Sequence, residues 1–140
     1  MMDHTIMLFL ASVLIIGGLL FAIMTITRKG PKALDVEKYR TKWMSIEQQL
    51  NRDEISTYHL GVINADKLLD QALTDRAFSG KTMAERLKSA KTKLSNDRAV
   101  WSAHKLRNKL SHDVNAKVTI DAARTALSAY KQALKDVGAI

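Results

Sequence analysis

The chain has 140 residues, no cysteine and a formal net charge of +8; with about the first thirty residues spent on an apolar segment, the rest suits one compact domain and not two. The missing cysteines exclude a disulfide framework, a thiolate metal site and a thiol nucleophile, while a single proline and an abundance of Ala, Leu, Lys and Arg favour an all-α fold. Once Arg28, Lys29, Lys32 and Asp3 are set aside, +6 remains on residues 33–140, which suits a phosphate-bearing partner such as RNA and equally the anionic inner leaflet of a membrane.

Residues 1–4 form a short N-terminal flank. From Thr5 to Thr27 no residue is charged, and at 1.5 Å rise per residue this run is roughly 34 Å long, enough to cross a bilayer. A cleaved signal peptide would carry positive charge before a shorter apolar core; the flank here is Asp3 and His4, so the segment reads as an uncleaved anchor. Arg28, Lys29, Lys32, Lys38, Arg40 and Lys42 follow it, which by the positive-inside bias predicts a single-pass protein of the cell (inner) membrane with its N-terminus out and residues 33–140 in the cytoplasm. Gly18 and Ala22 make a small-xxx-small pair of the kind that lets two membrane helices approach. Residues 28–32 read as a basic linker, with a hinge at Gly30-Pro31.

Five helices are predicted beyond the linker. Val36, Tyr39, Trp43, Ile46 and Leu50 form the stripe of a first, ending near Asn51; Ile55, Tyr58, Val62, Ala65, Leu69 and Ala72 form a second. After Ser79-Gly80, Thr82 and Glu85 have the spacing of a capping box for a third, running to about Leu94. Ser95-Asn96-Asp97 offers cap chemistry before Val100, Ala103, Leu106 and Leu110. The last stripe is Ile120, Ala123, Leu127, Tyr130, Leu134 and Val137, capped by Thr119 and stopped by Gly138. Short connections between amphipathic helices predict a four- to five-helix antiparallel bundle, with Trp43, Trp101 and the tyrosines as packing residues.

Several motifs fail. Gly80-Lys81-Thr82 resembles the end of a P-loop, but that motif needs glycine where the chain has Asp75, and a preceding strand. His104 and His112 are eight apart, about 12 Å along a helix, too far to share a zinc. No metal site, cofactor, Ser-His-Asp set or glycosidase carboxylate pair is expected, and His59 reads as a packed or surface histidine.

The string Arg107-Asn108-Lys109-Leu110-Ser111-His112 stands near the end of the fourth helix. It resembles the RNxxxH signature of the HEPN superfamily, whose members carry it on a small four- or five-helix domain. Residues 50–138, including Asn64–Asp70 and Glu85–Lys88, are similar to small membrane-tethered HEPN-like proteins of bacteria. The resemblance implies a homodimer in which Arg and His of two copies meet and cut RNA without a metal. Imidazole as a class titrates near neutrality and suits the ribose 2'-hydroxyl proton; a fixed guanidinium suits the developing phosphorane charge. His112 would be acid or base and Arg107 the phosphate clamp, with Asn108 and His104 in support and Asp66 or Asp113 holding the imidazole. Arg107 and His112 lie about 7.5 Å apart along a helix and some 140° around it, so they converge on one phosphate if the helix stops near His112. The alternatives are a non-catalytic tethered module binding RNA, a nucleotide or a protein partner, and a structural bundle resting on anionic lipid. On the blander reading, Arg107 and His112 only serve the carbonyl end of a helix.

Overall fold

His4–Thr27 forms helix α1, none of whose residues is buried; it is long and apolar enough to cross a membrane. The hydroxyls of Ser12, Thr25 and Thr27 donate to the carbonyls of Phe9, Ala22 and Ile23 at 2.7, 2.8 and 2.7 Å. These polar groups are therefore satisfied within the helix, as a hydrocarbon surround demands. The computed structural model describes residues 3–27, 30 and 32–140 and divides into two units, Met1–Gly30 and Pro31–Ile140. Arg28, Lys29 and Pro31, on which the expected basic flank and hinge partly rest, lie outside the described residues.

The second unit is helical, with α2 (Val36–Gln48), α3 (Ile55–Asp75), α4 (Met83–Ala90), α5 (Asp97–His112) and α6 (Ile120–Asp136). Each of four starts has a side-chain cap: Asp35, Thr82, Asn96 and Thr119 accept from the N–H three residues on, satisfying one otherwise unpaired donor apiece. At Thr82 the box differs from the expected pattern, because Glu85 reaches back past the cap to the N–H of Lys81. The expected third helix also ends sooner, at Ala90, and continues as a 3-10 turn over Lys91–Lys93.

Helix α3 packs against α2, α4, α5 and α6, and α5 packs against α6. The stripes supply the core: Tyr39, Trp43 and Ile46 from α2, Val62, Leu69 and Leu73 from α3, Val100 and Ala103 from α5, Leu127, Tyr130 and Leu134 from α6. Among the described residues, Asp66 and His104 are the polar or charged side chains buried with them. Helix α3 stops at a left-handed Ala77 with φ of 60°, ahead of the Ser79-Gly80 break, and the N–H of Phe78 closes the end on the Leu73 carbonyl at 3.0 Å. Helix α6 ends the same way on Gly138, φ 76°, with the Ala139 N–H on the Leu134 carbonyl at 2.8 Å, the Schellman arrangement.

Candidate functional site

Asp66 stands on α3 four residues after Val62 and three before Leu69, on the face that packs inward. A carboxylate there must be met by donors, since an unpaired buried charge costs several kcal/mol. Three residues supply them. His104 Nδ1 lies 2.7 Å from Asp66 Oδ1, the Tyr130 hydroxyl donates to the same oxygen at 2.9 Å, and Arg107 Nε sits 3.4 Å from Oδ2. That last approach is an ion pair without hydrogen-bond geometry: Arg107 Nε is sealed from solvent and makes no hydrogen bond.

The cluster closes through Asn108. Arg107 Nη1 donates to Asn108 Oδ1 at 2.9 Å, and Asn108 Nδ2 lies 3.4 Å from His104 Nε2. These partners assign the protons: the Asn108 amide gives its oxygen to arginine and its N–H to a bare His104 Nε2, so the His104 proton resides on Nδ1 and points at Asp66. The Trp101 ring meets the imidazole edge-on, with centroids 6.2 Å apart. Burial pushes the Tyr130 phenol up from its ordinary range, and the neighbouring Asp66 charge and hydrogen bond push it further, against a smaller opposing pull from Arg107. The phenol is thus a fixed donor.

Of the residues singled out in the sequence, Asp66, His104, Arg107 and Asn108 come together. Arg107 keeps 26% of its side chain in solvent, against 9% for His104. His112 is the last residue of α5 and is exposed; it makes no side-chain hydrogen bond or ion pair among the described residues. The imidazole that Asp66 holds is that of His104, two turns earlier, because α3 meets the middle of α5. Asp113 is committed to its own turn, accepting from the Asn115 N–H at 2.9 Å. The expected carboxylate support for His112 is therefore not built, whereas the helix does stop at His112, the condition set for its convergence with Arg107.

Tyr130 is a member of the cluster that sequence reading assigned only to packing. The signal that finds it is the pairing of an acid on one apolar stripe with a hydroxyl-bearing ring on another. Elsewhere, His59 Nε2 lies 3.1 Å from the Val118 carbonyl, tying α3 to the loop after α5. Arg86 holds Asp70 through two nitrogens at 2.6 and 3.0 Å and the Gly80 carbonyl at 2.8 Å, which fixes α4 on α3. Comparison of the chain with protein families, with curated proteins and with solved structures finds no match in any of the three.

Proposed function

We propose that residues 33–140 form a HEPN-like antiparallel bundle, held at the inner face of the cell membrane by α1, that cleaves RNA as a homodimer. The observation that carries this reading is the state of Arg107: its guanidinium is anchored by buried Asp66 and by Asn108, yet a quarter of the side chain stays in solvent. An arginine held in this way offers a phosphate a pre-oriented cation with little left to order on binding. His112 stands exposed where α5 ends.

The proposed step uses the substrate's own 2'-hydroxyl. One His112 imidazole takes its proton as the 2'-oxygen bonds to the adjacent phosphorus; the bond from phosphorus to the 5'-oxygen breaks, and the leaving oxygen takes a proton from the imidazolium of the second copy. Arg107 holds the non-bridging oxygens, while Asp66, His104, Asn108 and Tyr130 are positioning residues. The products are a 2',3'-cyclic phosphate and a 5'-hydroxyl.

A second reading, binding of RNA without cleavage, is favoured by the lack of any carboxylate on His112. Full-length protein in nonionic detergent, incubated with labelled RNA, separates the two. Cleavage is expected, falling about 10²- to 10⁴-fold in His112→Ala, the usual worth of a general acid or base, and comparably in Arg107→Ala. Mixing the two variants should not restore it, because a mixed pair carries one His112 where the step uses two. Binding without cleavage would leave the second reading, and undiminished cleavage by either variant would overturn the site.

A further inference from the structure

A second site lies away from Arg107, in the groove that α2 and the following turn make with α3 and α6. It is a cavity of about 470 Å³, within the range that takes small organic ligands. Its floor is apolar, from Ile46, Leu50 and Leu127. Arg52, Arg124 and Lys131 stand around it with Glu47 as the one carboxylate. Lys131 is spoken for, 2.8 Å from Glu47 and 5.9 Å from the centre of the Trp43 ring. Arg52 and Arg124 are exposed and have no carboxylate partner among the described residues.

Two further donors line the same space. Tyr58 is only 5% exposed and lines the cavity, and its hydroxyl meets no hydrogen-bond partner among the described residues. Trp43 is 4% exposed and also lines the cavity; its Nε1–H is sealed from solvent without a well-formed hydrogen bond, close enough to the Glu47 carboxylate to help lower it. Buried polar groups are ordinarily paired, and one left open beside a cavity marks a place where a ligand or water completes it. Two unpaired guanidinium groups beside such donors select an anion, and guanidinium geometry matches phosphate oxygens.

We infer that this cavity binds a phosphomonoester with a small apolar body, its phosphate held between Arg52 and Arg124 with the Tyr58 hydroxyl, and its body on Ile46, Leu50 and Leu127. The ester is either a free metabolite or the headgroup of a phosphomonoester lipid. The site shares no residue with the Arg107 cluster and stands or falls independently of RNA cleavage.

Calorimetric titration of the full chain in nonionic detergent tests it, with monobutyl phosphate and inorganic phosphate as probes. Saturable binding of monobutyl phosphate is expected, several-fold tighter than inorganic phosphate because of the apolar floor. The double variant Arg52→Gln/Arg124→Gln should weaken it at least tenfold and Tyr58→Phe several-fold, while Arg107→Gln should leave it unchanged. Doping the micelles with phosphatidic acid, against phosphatidylcholine as control, separates the sources: displacement of the probe assigns the lipid headgroup, and its persistence assigns the free ester. No saturable binding, equal affinity for both probes, or binding that survives the double variant would overturn the inference.

Discussion

Asp66 is the residue on which the polar cluster depends. The residue is 3% exposed and its carboxylate faces three donor side chains, so losing it leaves the arginine without its counter-charge and the imidazole N–H without its acceptor. Asp66→Ala should destabilise the second unit by about 3–5 kcal/mol, the cost of breaking a buried ion pair from one side. Tyr130→Phe removes one donor to a charged acceptor and should cost about 1.5–3 kcal/mol. Thermal or denaturant unfolding followed by circular dichroism checks both; a loss under 1 kcal/mol for Asp66→Ala would mean that the carboxylate is not ionised and paired as described. Four members of this cluster were legible in the sequence because three of them fall in or beside one unusual string and the fourth is an acid on an otherwise apolar stripe. Tyr130 was not, since a tyrosine on a stripe satisfies packing on its own and only the pairing of α3 with α6 reveals its acceptor. The same local reading attached the acid to His112, because which turn of α5 meets α3 is a tertiary fact that spacing does not encode.

At the scale of helices, periodicity placed all five elements of the second unit, and the errors are at their ends. The break expected at Ser79-Gly80 follows α3, but the helix itself stops earlier, at Ala77 in the left-handed region, a conformation that costs a non-glycine residue roughly 1 kcal/mol. Ala77→Gly should therefore raise stability by about 0.5–1 kcal/mol, measured as a shift in the unfolding midpoint, and a loss of stability would contradict the Schellman stop. The opposite holds at Gly80, where φ is 145° and an added Cβ would lie 2.7 Å from the Arg86 nitrogen and the Glu85 Cβ. The end of α6 is pinned by charge. Asp136 receives the Ser95 N–H and hydroxyl, both at 2.8 Å, and the Gln132 amide at 2.9 Å. Burial alone would raise its carboxyl, but the Ser95 N–H, the Gln132 amide and the Ser95 hydroxyl outweigh that and hold it below its ordinary range. A carboxyl so lowered adds stability above its unfolded pKa of about 3.9, and the gain disappears as pH falls through the lower folded value. The stability deficit of Asp136→Asn should accordingly be full at pH 6 and shrink below about pH 4; a deficit independent of pH would show that the contact is not ionic.

For the molecule as a whole, α1 has the length and composition of a membrane span, and the side on which the second unit stands follows in our proposal from the basic residues after it. The absence of cysteine makes that orientation directly measurable. With an impermeant maleimide on intact cells, a cysteine introduced at Asp3 should be labelled and one at exposed Lys93 protected until the cells are opened; the reverse pattern would place the bundle outside, away from cytoplasmic RNA. Tethering to a plane also raises the local concentration of copies, which favours the pairing that an Arg/His site shared between two chains requires. The most direct test is RNA cleavage by the full-length protein in excess EDTA, wild type beside His112→Ala. Cleavage by the wild type, undiminished by the chelator and absent from the variant, is the expected result; no cleavage by the wild type, or equal cleavage by both, would contradict a metal-independent ribonuclease built on Arg107 and His112.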